Sequence, residues 1–237
     1  MDLARLKGEK VDSAVRVVSN YNITALFPYS ILNRFIAIVA GERAMTDSVD
    51  ELRSKVEQYR SDGLNTQQIA DEMSLSQTTI KWLSSGGVGS EDRPEDIRIG
   101  WRSIAVKAGR IEAISYVFCD IIEEEIGEDV DTVVGISING IAFAQAVGGQ
   151  MDLDIAISRS ISDDGGGHIS EVFAAVEGKR CVVIDDVLSG GTTMTKTVNN
   201  LRAAGADVKL CLVLANKSHR NEIEGVPLRG LVRVVTV

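Results

Sequence analysis

The chain has 237 residues, of which 44% are hydrophobic and 25% charged, and its formal net charge is −9. Such a length and composition exclude a peptide scaffold, a disordered tail and a fibrous protein, and the acidic balance excludes a surface that is basic throughout. Any contact with nucleic acid must then come from a local patch. Cys119, Cys181 and Cys211 are odd in number and lack CxxC spacing, so neither a disulfide framework nor a zinc site is expected, and a reducing cytoplasm is. No run approaches the roughly 18 apolar residues of a membrane span; the best, 26–40, is interrupted by Pro28, Asn33 and Arg34.

Residues 1–44 carry a net charge of +2, leaving −11 for the remainder, and contain no motif. They are read as an N-terminal extension without an assigned role. Met45 precedes Thr46, Asp47 and Ser48 and then an amphipathic helix. The native product is therefore expected to start at Met45, which the intact mass of the endogenous protein would test.

From 49 to 62, Val49, Leu52, Val56 and Tyr59 recur at helical spacing, and Gly63 stops the helix. Asn65 can cap a second helix over 66–73, Ser74 and Leu75 form a tight link, and Ser76 can cap a third from 77 to about 83. A Gly/Ser-rich stretch over 84–90, followed by Pro94, marks a boundary. The expected division is an all-α domain at 45–88 and a larger domain at 93–237.

In the larger domain Ile111, Ile114, Phe118, Ile121, Ile122 and Ile126 line one helix face, which Gly127 ends. Runs at 132–136, 153–157, 180–185 and 208–215 read as strands, with helices near 141–147 and 193–204. The fold class is α/β, with a largely parallel sheet flanked by helices.

The run from Cys181 to Asp186 is an apolar strand ending in two carboxylates. Val187, Leu188, Ser189, Gly190, Gly191, Thr192 and Thr193 follow before a helix. Ligands gather at the carboxyl ends of parallel strands. Small residues let backbone N–H groups converge on an anion there, hydroxyls add donors, and the helix N-terminus adds positive partial charge. Asp185 and Asp186 would repel phosphate, so they should face a ribose diol of the same ligand, or a metal. A merely structural capped turn accounts less well for the paired acids and the hydroxyl-rich glycine loop.

The segment IDDVLSGGTTM resembles the phosphoribosyl-diphosphate signature of type I phosphoribosyltransferases, and the resemblance extends over roughly 130–235. It implies that Asp185 and Asp186 hold the ribose 2′ and 3′ hydroxyls and that Ser189, Gly190, Gly191, Thr192 and Thr193 wrap the 5-phosphate. It also implies that Mg²⁺ accompanies the diphosphate, with no other cofactor required. Ser137, Ile138, Asn139 and Gly140 stand where this family places its pyrophosphate loop, although no Lys or Arg adjoins Gly140.

Orotate phosphoribosyltransferases, the branch this chain most resembles, neutralise the leaving pyrophosphate with a lysine-rich hood loop. The matching stretch here, SRSISDDGGGHIS over 158–170, offers Arg159 but also Asp163 and Asp164, and no lysine occurs from 152 to 178. Loss of one preorganised donor costs on the order of a hundredfold in rate, so binding without catalysis is expected and no residue is assigned a catalytic role. Asn216 and Lys217 stand where the orotate enzymes carry an Asp-Arg pair, which argues against orotate recognition. His168 and His219 receive no role.

The stretch LNTQQIADEMSLSQTTI over 64–80 resembles helix-turn-helix transcription factors, with Ile69, Ala70, Leu75 and Ile80 at the packing positions. Ser76, Gln77, Thr78, Thr79 and Lys81 would then be available to phosphates and base edges. Arg53, Lys55 and Arg60, with Arg93, Arg98, Arg102, Lys107 and Arg110 near the linker, supply a local basic face. The combination resembles archaeal GfcR-type transcriptional regulators of sugar catabolism. That resemblance implies a cytoplasmic homodimer binding an operator with half-sites about 10 base pairs, or a multiple, apart, with phosphoribosyl diphosphate or a related sugar phosphate as the sensed ligand. The alternative is an active phosphoribosyltransferase of orotate or purine type.

Overall fold

The computed structural model describes residues 48–86, 94–160, 167–170 and 172–234. The expectations for 1–44, Met45, most of the linker, Arg93, Asp163 and Asp164 lie outside the described residues. Residues 49–237 cluster as one compact unit.

Among the described residues three short helices come first, α1 (Val49–Ser61), α2 (Thr66–Met73) and α3 (Gln77–Ser84). They form because apolar residues at helical spacing meet around one small core of Val56, Ile69, Ala70, Met73, Leu75, Ile80 and Leu83. The expected caps are present. The Asn65 side chain accepts from the Gln68 amide at 2.9 Å while Gln68 accepts from the Asn65 amide at 2.9 Å, and Ser76 Oγ accepts from the Thr79 amide at 3.1 Å. Ser74, in the left-handed region at φ 52, turns the chain between α2 and α3.

After an extended strap over 94–101 come α4 (Arg102–Ala105), α5 (Ala108–Ile126), β1 (Thr132–Ile136), α6 (Asn139–Met151), β2 (Asp154–Ser160), β3 (Gly167–Ile169) and β4 (Arg180–Leu188). The chain continues through α7 (Thr192–Ala203), β5 (Asp207–Asn216), β6 (Glu222–Ile223) and β7 (Val226–Arg233). The sheet order is β3-β2-β1-β4-β5-β7-β6. The five central strands run parallel, and β3 and β6 close the two edges antiparallel. α7 covers one face through Met194, Val198 and Leu201. α5 and α6 cover the other, where Phe118 meets Phe143 edge to face at 5.5 Å between centroids.

The chain leaves β1 for β2 on one side, whereas β4 pairs with β1 on the other. The carboxyl ends of β1 and β4 therefore flank a topological switch point, the place where open α/β sheets bind ligands. The amino ends are tied differently. Arg180 holds Asp131 through two bonds of 2.8 and 2.6 Å and Asp129 through a third of 2.7 Å, and Lys209 bridges Asp129 and Asp207.

Candidate functional site: the phosphate loop and the facing helix pair

β4 extends through Leu188, so the expected strand end at 185 moves three residues on. Asp185 and Asp186 lie within the strand, and the loop proper begins at Ser189. Gly191, at φ +85, is the N-cap of α7 and supplies no side chain to its first turn. The first N–H groups of α7 are consequently left to an incoming acceptor, as anion binding requires.

The turn after β1 abuts β4 because of Gly140. A Cβ there would stand 2.3 Å from the Ile184 carbonyl oxygen and 3.1 Å from Asp185 Cα. Gly140 thus serves close packing of α6 on β4. Asn139, beside it, donates from Nδ2 to Asp186 Oδ2 at 3.0 Å. The Ser137–Ile138 peptide is cis, and Ile138 is exposed.

Trp101, on the strap, escaped sequence reasoning because a lone tryptophan in an irregular stretch carries no periodic signal. Its ring packs on Phe143 at 5.5 Å, and its Nε1 donates to Asp186 Oδ2 at 2.7 Å. Asp186 also donates its amide to Asp185 Oδ1 at 2.9 Å. Burial, followed by the neighbouring charges of Asp186 and Asp71, pushes the Asp185 carboxyl well above its usual range. Burial likewise raises Asp186, although bonds from the Val187 amide, Asp185 and Trp101 oppose it.

Across the loop stand α2 and α3, whose Gln67, Asp71, Ser76, Gln77 and Thr78 form the opposite wall of a gap of about 100 Å³. Thr193 Oγ1 donates to Gln67 Oε1 at 2.6 Å. Gln77 Nε2 donates to that same Gln67 oxygen and, at 3.4 Å, to Thr193 Oγ1. Gln67 Nε2 in turn donates to Asp71 Oδ1 at 2.6 Å. Burial and then the charge of Asp186 push Asp71 up to about 8, against the amide bond from Gln67.

The strap ties this wall down. Asp96 accepts from the Ser76 amide at 2.7 Å, the Thr79 hydroxyl at 2.7 Å and Lys217 Nζ at 2.6 Å, and the Asp96 and Lys217 side chains are only 8% and 5% exposed. Burial alone would raise the Asp96 carboxyl, but Lys217, the Ser76 amide and the Thr79 hydroxyl together hold it below the usual range. Arg98 donates to the Met73 carbonyl at 3.0 Å.

Of the five residues expected to read DNA, Thr78 and Lys81 are exposed, Thr79 is buried, and Ser76 and Gln77 are half-buried. Ser76, Gln77 and Thr79 are thus engaged within the chain in this arrangement. Several cations of the expected basic face are engaged too. Arg53 lies 5.5 Å from the Trp82 ring centroid, and Arg60 bonds Ser84 and Thr66. Arg220, which no motif flagged, is a cation beside the loop, with its Cδ and Nε 3.7 Å from where a Cβ on Gly191 would stand. Asn216 is fully buried and shapes the turn after β5 by accepting from the Ser218 amide and hydroxyl, each at 2.8 Å. Arg159 pairs with His168 across β2 and β3.

Comparison with known proteins agrees with this architecture. The phosphoribosyl transferase domain family matches residues 103–236. The transcriptional regulator GfcR of Thermoplasma acidophilum is 38% identical over 193 residues, which is 80% of this chain and 98% of that protein. Its namesake in Picrophilus torridus is 34% identical over 193 residues, covering 80% and 99%. Among solved structures, adenine phosphoribosyltransferase from Thermoanaerobacter pseudethanolicus superposes with a TM-score of 0.50 at 15% identity over 60% of this chain and 90% of that one, a likeness of fold. No helix among the described residues is long and apolar enough to cross a membrane. The chain belongs to the GfcR family of archaeal transcriptional regulators and carries a phosphoribosyl transferase domain.

Proposed function

We propose that the chain is a cytoplasmic, homodimeric DNA-binding regulator, with a role in sugar catabolism, whose larger domain at 93–237 senses phosphoribosyl diphosphate or a related sugar phosphate. The observation that carries this reading is the uncapped N-terminus of α7 behind Ser189–Thr193, set beside the carboxylates of Asp185 and Asp186. The loop N–H and hydroxyl groups suit the phosphate, and the carboxylates suit a ribose diol. Ser137, Ile138, Asn139 and Gly140 would suit the diphosphate, Asn139 being bonded to Asp186.

Among the described residues no cluster of three His, Cys, Asp or Glu side chains could hold a metal ion. Mg²⁺ fits this site as an ion that arrives on the diphosphate, since it is commonly bound by one or two carboxylates together with substrate phosphates. The helices at 45–88 would act as a helix-turn-helix domain, with Ser76, Gln77, Thr78, Thr79 and Lys81 meeting operator DNA.

An enzymatic role is disfavoured because no lysine occurs between 152 and 178, leaving the departing pyrophosphate without preorganised positive charge. Titration calorimetry with phosphoribosyl diphosphate and Mg²⁺, run beside an assay of base-dependent pyrophosphate release, tests the reading. Saturable binding that is lost in Asp186→Asn, without turnover, is expected; turnover with any nucleobase contradicts it.

A further inference from the structure

The end of α3 that would enter a major groove is its N-terminal turn, and in this chain that turn faces the phosphate loop. Gln77 and Gln67 are bonded to Thr193, a loop hydroxyl that the ligand reading assigns to phosphate. Ser76 gives its amide to Asp96, and Thr79 its hydroxyl. The remaining gap of about 100 Å³ falls short of the roughly 300–1,000 Å³ typical of sites that bury a small-molecule ligand.

Charge points the same way. The gap is lined by Asp71 and Asp185, with Asp186 beneath, and no cation is among its lining residues, Arg220 lying outside it beside Gly191. A phosphorylated ligand would bring negative charge into a partly desolvated space, where repulsion is strongest, and would repel Asp71 whenever that carboxyl is ionised. The helix pair and the ligand therefore compete for one surface by sterics, by hydrogen bonding and by electrostatics.

We propose that in the ligand-free chain the phosphate loop and the reading end of α3 occupy each other, so that a sugar phosphate entering the loop displaces α2 and α3 and frees them for DNA. This rests on the ligand reading given above and adds the direction of control: ligand and DNA bind with positive linkage, because each excludes the docked arrangement. Gln67 is the latch, since its one amide group joins Thr193, Gln77 and Asp71.

Hydrogen exchange on the full chain tests this without any knowledge of the operator. In the presence of phosphoribosyl diphosphate and Mg²⁺, amides over 189–195 should slow while the Ser76 amide, held by Asp96, should quicken. Gln67→Ala without ligand should quicken the Ser76 amide by about fivefold, the effect of losing the one neutral bond by which Gln67 holds the loop, that from Thr193. Slowing of both segments would make the helices a lid over the ligand and overturn the proposal. So would slowing of the loop with Ser76 unchanged, and in both cases the ligand reading would survive. No response of the loop would overturn the ligand reading itself, and displacement by a sugar phosphate would fall with it.

Discussion

At the amino ends of β1 and β4, Asp129 and Asp131 share Arg180, and Lys209 joins Asp129 to Asp207. At the carboxyl ends, Asp185 and Asp186 stand with Asp71 around a gap whose lining holds no cation. The same residue type is thus held in opposite circumstances about one strand length apart. Arg180 holds the Asp131 carboxyl well below the usual range and, with Lys209, lowers Asp129 as well, whereas burial and like charge push Asp71 up to about 8. Charge that is paired stabilises the sheet. Charge left crowded and buried opposes folding unless a ligand or a docked element uses it, and this is why such groups mark functional sites.

Asp96 is the carboxylate near the crevice that does have a cation, and it separates the two ends most sharply. Lys217→Ala leaves Asp96 buried and unpaired, which costs about 3–5 kcal/mol in comparable buried pairs, and chemical denaturation should read a loss of that size. Next in size is the packing that brings the crevice together. Gly140→Ala drives a Cβ into the Ile184 carbonyl at 2.3 Å and should cost at least about 1–3 kcal/mol. Gly149→Ala in the same helix meets nothing within 4 Å and should stabilise by roughly up to 1 kcal/mol.

Neutralising a carboxylate should have opposite signs at the two ends. At pH above about 8, where Asp71 is ionised, Asp71→Asn relieves repulsion by Asp186 and should raise Tm by about 2–4 °C, what ~1 kcal/mol yields in a domain of this size. Asp131→Asn forfeits the paired bonds with Arg180 and should lower it. The pH dependence separates the ends again. Asp71 faces Asp186 and Asp185 from β4 and Glu72 and Gln67 from its own helix, and its raised value means that the docked form holds the proton. Its contribution is fully present below 3.8 and lost as pH rises through about 8. Asp131, lowered by Arg180, contributes above the ordinary carboxylate range and loses that contribution as pH falls. Thermal melts between pH 6 and 8 should therefore slope downward, and the slope should flatten in Asp71→Asn but persist in Asp131→Asn.

Much of this was legible in the residues. Asn65, Ser76 and Gly63 mark helix ends by local chemistry, and the apolar runs before Ile136 and Asp185 mark strands, because caps and periodicity act within a few residues. β7 was not legible, since Pro227 and Gly230 interrupt the run that a buried strand would show, and β3 and β6 are too short to carry a period. The loop over 189–193 was readable as a candidate anion site. What faces it was not, because Gln67 meets Thr193 across 126 residues, and Lys217 meets Asp96 across 121. Pairings at that separation follow from how α2 and α3 pack against the sheet domain rather than from any local pattern. The same packing turns Gln77 and Thr79, which read as groove contacts in isolation, toward partners within the chain.

The most direct test is the affinity of the full chain for a duplex selected by it from a random-sequence pool, measured with and without phosphoribosyl diphosphate and Mg²⁺. Mutual exclusion of ligand and docked helices predicts tighter DNA binding with ligand, by about the 5–150-fold common for coupled sites. Equal affinity, or tighter binding without ligand, would contradict it.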